Sequence, residues 1–304
     1  MALDLRPLTL PELLDRSFST YRHHVWLFVG IMAVPAVIAM AYSLGMQVFQ
    51  FSIGPVRPDT PPTQILWKAL AVGIASIAFM FIYFVIYAFA LGATTVAVAH
   101  VYKEQPITVA GTYRAVRTQG WWLLLLMIWT GLRVMLAGAG VMVLVFILAA
   151  AFALVSRILS VLVIVPGMFV AVAAMVFFAV RYGVAVPAAV LENLGPNRAL
   201  RRSVELTEDY RGRIFLIWLC ALAITYATAL LLQAPFMLGA FVAGPGTATA
   251  LVLNLIGVVC GTIGSTFTGP IMIIGLALAY YDLRIRKEAL DLQMMFESID
   301  APRA

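Results

Sequence analysis

The residues of this chain able to do chemistry are few, and their spacing restricts what they could do. Histidine occurs three times, as His23, His24 and His100. None stands at a ligand spacing from a cysteine or carboxylate, so no metal is expected. The two cysteines, Cys220 and Cys260, each lie inside an apolar run. A structural disulfide needs an oxidising, water-facing setting, so free packed thiols are the reading there. No glycine-rich loop precedes a basic residue to cradle a phosphate, and no nucleophile elbow is present. Aspartate and glutamate are confined to the segments between and beyond the apolar runs, which leaves no carboxylate pair for an intramembrane proton relay. The expectation is no catalytic residue, no cofactor and no enzyme activity.

What remains is concentrated charge. Arg181, Glu192, Arg201 and Arg202 form one set, and Asp282, Arg284, Arg286, Lys287 and Glu288 form another. Paired with each other, they would fix the helices that carry them. Left unpaired, they would make a basic shelf for anionic lipid headgroups, at about 1 kcal/mol for each basic residue near the surface. Arg133 is of another kind, a charge within an apolar run. Counted from Trp121 at 1.5 Å per residue it lies about 18 Å along its helix, near mid-membrane. An ionisable group at that depth is a candidate site for a lipid phosphate or an anionic substrate. The structural alternative is an arginine that bonds backbone carbonyls in the bundle or snorkels toward a surface. Thr130, Thr225, Gln233 and Asn254 also fall within apolar runs and read as interhelical hydrogen-bonding residues. Gly257, Gly261, Ser265 and Gly269 recur every fourth residue, giving one small-residue face for close helix packing.

The elements that must position these residues are membrane-spanning helices. Of 304 residues 63% are hydrophobic and only 11% charged, whereas a soluble domain carries about 25% charged residues. Six apolar runs reach the roughly 20 residues needed to cross a bilayer, and they do not alternate as barrel strands would. They fall near residues 26–49, 65–100, 121–154, 158–180, 214–242 and 249–281. Pro55, Pro58, Pro61 and Pro62 make residues 52–63 a loop, and Pro166-Gly167 would kink the fourth span. Three amphipathic helices are expected at the interface. The first covers residues 9–24, with Leu10, Leu13, Leu14, Phe18 and Tyr21 on one face and a capping box at Thr9 and Glu12. The second begins near Thr108, and the third runs over residues 197–213 with Asn197 as its N-cap. The fold class is therefore an all-α polytopic bundle of six spans and three interfacial helices in a single membrane domain. Its elements suggest a threefold repeat over residues 7–105, 106–195 and 196–292.

Basic residues decide orientation. Arg16, Arg22, Lys103, Arg114, Arg117, Arg181, Arg198, Arg201, Arg202, Arg211, Arg213, Arg284, Arg286 and Lys287 fall on one side with Arg6. Only Arg57, Lys68 and Arg157 fall on the other. Both termini and all three amphipathic helices are thus expected in the cytoplasm, and the membrane is expected to be the bacterial inner membrane. This bias also accounts for the net charge of +6, so no nucleic-acid partner is inferred. Membrane lipids are the expected partners, with a protein partner or a second copy left open.

Two segments carry a resemblance. Arg181-Tyr182, Pro187, Glu192, residues 199–203 (Ala-Leu-Arg-Arg-Ser) and Leu206-Thr207 form the first. Tyr280-Tyr281-Asp282-Leu283-Arg284-Ile285-Arg286-Lys287-Glu288 with Asp291-Leu292 form the second. With the stretch 8–28, these resemble the glycerophosphoryl diester phosphodiesterase membrane domain family of bacteria and archaea. The resemblance implies the membrane part of such proteins. The soluble barrel that carries phosphodiesterase chemistry in fused members has no counterpart here, so it does not imply that reaction.

Overall fold

The computed structural model describes residues 8–53 and 61–288, which contain helices and no strand. The elements are α1 (Leu10–His23), α2 (Val25–Ile53), α3 (Pro62–Tyr102), α4 (Val109–Val116), α5 (Gly120–Ala153), α6 (Arg157–Arg181), α7 (Ala185–Leu191), α8 (Pro196–Thr207), α9 (Arg211–Ala243) and α10 (Ala248–Glu288). Helices α2, α3, α5, α6, α9 and α10 are long and apolar enough to cross a membrane. This is an all-α, multi-pass integral membrane protein. In chain order a short helix followed by two long ones occurs three times, with α7 added between α6 and α8. Arg6, Arg57, Pro55, Pro58 and the 289–292 end of the charged tail lie outside the described residues.

Two compact units are formed. Among the described residues one comprises 8–13, 119–218 and 276–288, the other 14–53, 61–118 and 219–275.

In the first unit α5 and α6 form an antiparallel hairpin. Its turn ends on Ser156, whose hydroxyl accepts from the Ile158 N–H at 3.2 Å as an N-cap. Small residues let the two helices approach closely. A Cβ on Gly138 would sit 2.6 Å from the Met175 side chain, and one on Gly167 would collide with Val145. Pro166 does not end the helix, which runs unbroken to Arg181. Beyond it comes α7, a helix the sequence did not announce. Pro187 is tolerated in its first turn, where a backbone N–H has no intrahelical acceptor anyway. Then α8 begins with Gly195 as N-cap and Pro196 at the first helical position, two residues earlier than expected and with Asn197 inside the helix. It stops at Thr207. A turn over residues 208–210 separates it from α9, so the expected basic helix to residue 213 is two elements.

In the second unit α2 and α3 pack through aromatic rings. Tyr42 stacks on Phe79 at 3.7 Å and donates to the Ser76 hydroxyl at 2.8 Å. Helix α4 docks on this pair rather than lying free. Tyr113 donates to the Ile31 carbonyl at 2.8 Å, Val109 sits over Gly30, and Thr112 and Val116 are buried. Burial pushes the Tyr113 hydroxyl up to about 12. Within α1, Tyr21 donates to the Phe267 carbonyl. At the start of α1 the Glu12 carboxylate accepts from the Thr9 N–H at 2.7 Å, as a capping box requires, while the Thr9 hydroxyl donates to that same carboxylate.

Helices α9 and α10 turn at Gly244 and Gly246, whose φ values of 87° and 80° suit glycine. The small-residue face of α10 is Gly257, Gly261, Gly264 and Thr268, not the strict four-residue series. Gly257 and Gly261 meet Gln233, Gly264 meets Leu232 and Thr228, and Thr268 is buried. Ser265 is exposed and Gly269 has open space. At 3.6 residues per turn, spacings of four must alternate with three to stay on one face. Thr130 and Thr225 do not bond across helices as expected. Each donates to a carbonyl four residues earlier, Leu126 and Ala221, at 2.7 and 2.9 Å.

Candidate functional site

The first charged feature to assemble is the end of α7. Asn193 takes φ 53°, a left-handed cap that Asn accepts more readily than most residues, and the Leu194 N–H returns to the Ala189 carbonyl at 3.1 Å. Gln119 holds Asn193 by donating to its side-chain oxygen at 3.0 Å. This turn aims Glu192 at α8. Arg202 donates through Nε to both Glu192 oxygens at 3.0 and 3.1 Å, and the Tyr280 hydroxyl donates to Glu192 as well. Arg202 also pairs with Glu288. Arg284 closes the ring, 2.9 Å from Glu288 and 3.7 Å from Glu192. The four side chains are 19 to 25% exposed. Two positive and two negative groups alternate, so the ring is neutral as well as saturated. The hydrogen bond to Glu288, and then that to Glu192, raise the Arg202 pKa further above its already high ordinary value. That arginine stays charged at any working pH.

A second cluster uses another face of α10. Residues 280, 284 and 288 follow one stripe of the helix, while 282 and 286 follow a second, about 200° around. Asp282 is 2% exposed and accepts from three donors: the Leu8 N–H at 2.8 Å, Arg213 at 3.1 Å and Arg286 at 3.0 Å. Arg213 and Arg286 also both donate to the Leu8 carbonyl. One carboxylate and one peptide group thus tie the chain's early residues to α9 and α10. Beside them Arg286 lies 5.6 Å from the centre of the Tyr210 ring, and Lys287 pairs with Asp209 at 2.8 Å.

Of the residues singled out from sequence, Glu192, Arg202, Arg284 and Glu288 are brought into one ring, and Asp282 into the adjacent cluster. Arg201 is not. It pairs with Glu205 one turn on, with side chains 84% and 52% exposed. Arg181 is also outside both clusters. Its carbonyl is capped by the Ser203 and Thr207 hydroxyls of α8 at 3.0 and 3.2 Å, but its side chain makes no ion pair among the described residues, and its Nε is buried without a partner.

With Gly138 against Met175 and Gly167 against Val145, the register of the hairpin sets Arg133 level with the last turn of α6, not opposite its middle. Its guanidinium stands 5.9 Å from the centre of the Tyr182 ring. The first turns of α5 pack against α7 and α8, and Leu123, Leu124 and Leu126 there are buried.

No family model, curated protein or solved structure matches this chain.

Sequence reasoning missed Arg211, Arg213 and Tyr280 as members of this region. Arg211 lies over the Phe177 ring at 5.1 Å, and its Nε, like that of Arg181, is buried and unpartnered. The available signal was a basic doublet at residues 211 and 213, flanking a glycine at the entry to an apolar run. Among the described residues no three of His, Cys, Asp and Glu gather as a metal would require.

Proposed function

We propose that this protein is a non-enzymatic component of the bacterial inner membrane, with both termini cytoplasmic, that organises anionic lipid at its cytoplasmic face. The observation that carries the reading is the division of charge. Glu192, Glu288 and Asp282 are each saturated by arginines and other donors, which leaves none of them free as an acid or base. Arg133, Arg181 and Arg211 have no carboxylate partner among the described residues. The strong asymmetry of basic residues between loops supports the orientation. The resemblance to the glycerophosphoryl diester phosphodiesterase membrane domain family agrees with a membrane role detached from that chemistry.

The test is lipid retention. Protein purified from a mixed membrane and analysed by native mass spectrometry is expected to keep phosphatidylglycerol in preference to phosphatidylcholine. Equal retention of the two would remove the proposal.

A second reading, transport of a small or lipid-like solute, draws on one feature of the second unit. A cavity of about 770 Å³ lies beside the turn between α9 and α10, with Gln47, Gln50, Thr247 and Asn254 among apolar walls that include Phe51 and Met237. Arg133 does not line it, and α6 and α10 run unbroken through Pro166 and Pro270. Uptake by proteoliposomes that is lost in N254L would favour this reading.

A further inference from the structure

The geometry points to a binding site for a phosphate oxyanion, formed by Arg181 and Arg211 and filled by the headgroup of an anionic phospholipid. It deepens the lipid-organising reading and rests on it. The residues come from two helices of one unit. Phe177 and Arg181 are four apart on α6 and share a stripe, and a helical side chain leans toward the N-terminus. A side chain at position 181 that follows this tendency lies along the stripe beside Phe177. Arg211, the first residue of α9, already stands over that ring at 5.1 Å. The start of α9 is held there by Ile214, buried at 1% and packed against Gly183 just beyond the end of α6.

Arg181 and Arg211 thus flank one helical stripe, neither has a carboxylate partner among the described residues, and each has a buried Nε without an acceptor. Like charges brought together repel, and a buried donor left unbonded is unfavourable. An oxyanion bound by both guanidinium groups offsets the repulsion, since guanidinium forks match phosphate oxygens.

Depth identifies the source of the phosphate. The 25 residues of α6 span about 37 Å, against a hydrocarbon core of about 30 Å. The Arg181 end therefore reaches headgroup depth. Along the same side of α6, Phe177 and Val170 are 44 and 57% exposed, an apolar track on which an acyl chain can lie. A free phosphate would use the two arginines and not this track.

The experiment compares wild type, R181Q/R211Q, R181K/R211K and R201Q in detergent. Each is titrated with phosphatidylglycerol, phosphatidylcholine and inorganic phosphate, and native mass spectrometry is read beside a melting curve. Wild type and R201Q are expected to bind phosphatidylglycerol alike. R181Q/R211Q should bind it about tenfold or more weakly, with phosphatidylcholine unchanged. R181K/R211K should fall between, because charge is kept and the fork is lost; this folded variant decides the matter should the glutamine pair not fold. Undiminished phosphatidylglycerol binding in both double variants overturns the site while leaving the lipid-organising reading intact. No preference for phosphatidylglycerol in wild type sinks both. Saturation by inorganic phosphate, with phosphatidylglycerol adding nothing, overturns the lipid assignment.

Discussion

Two sets of arginines stand within one unit and have opposite fates. Arg202, Arg284, Arg213 and Arg286 each have a carboxylate within 3.1 Å and are about one-fifth exposed. Arg133 and Arg211 stand over aromatic rings, Arg181 has a buried Nε without an acceptor, and none of the three has such a carboxylate among the described residues. The difference teaches where each set's work is done. A guanidinium saturated from within its own chain holds helices together and has little left for a ligand. One without a carboxylate from its own chain adds little internal stability and leaves binding capacity.

The comparison can be broken at its strongest point first. Asp282→Ala removes the buried acceptor shared by Leu8, Arg213 and Arg286, stranding two half-buried cations. A loss of about 3–5 kcal/mol is expected, read as a large fall in melting temperature in detergent; an unchanged melt would show that this cluster is not a lock. Glu192→Gln keeps the shape but removes one charge from the four-member ring. Each member is about one-fifth exposed, so solvent screening reduces the loss to about 1–2 kcal/mol. In a cycle with Arg202→Gln the coupling should be about 1 kcal/mol or more, and strict additivity would mean that the ring does not act as a unit. Arg181→Gln should cost less than about 1 kcal/mol without lipid, and its effect should grow when phosphatidylglycerol is present. Equal effects in both conditions would erase the distinction between the two sets. Arg201→Gln, an exposed pair within one helix, should stay within about 0.5 kcal/mol of wild type.

Small-residue contacts bear on the same unit without touching its charges. At Gly167 even an added Cβ collides with Val145, so Gly167→Val should lower the melting temperature through overpacking by about 1–3 kcal/mol. Lipid selectivity should be unaffected, a control that separates general destabilisation from loss of the arginine site.

Much of the architecture was legible in the sequence because it depends on short-range patterns. Apolar runs of span length and the capping pair Thr9 and Glu12 each depend on neighbouring residues. The helix ends were less legible. α7 was hidden because Pro187 reads as a breaker unless it is known to fall in a first turn, and Asn197 competed as an N-cap with the Gly195-Pro196 pair beside it. The charged residues were legible as two sets, but their partners were not. Leu8 enters the Asp282 cluster through its peptide group, which no side-chain pattern signals.

By itself the sequence determined that this chain spans membranes as helices, because burying backbone polar groups in lipid permits little else for runs of this length and composition. It also determined that charge gathers where those helices end. Tertiary structure alone decided which arginines are neutralised. Glu192 meets Arg202 and Arg284 across gaps of 10 and 92 positions, a matter of helix register and turn geometry. The same register places Arg133 beside the end of α6 and leaves Arg181 and Arg211 without a carboxylate partner among the described residues, because Coulomb energy depends on distance through space and not along the chain.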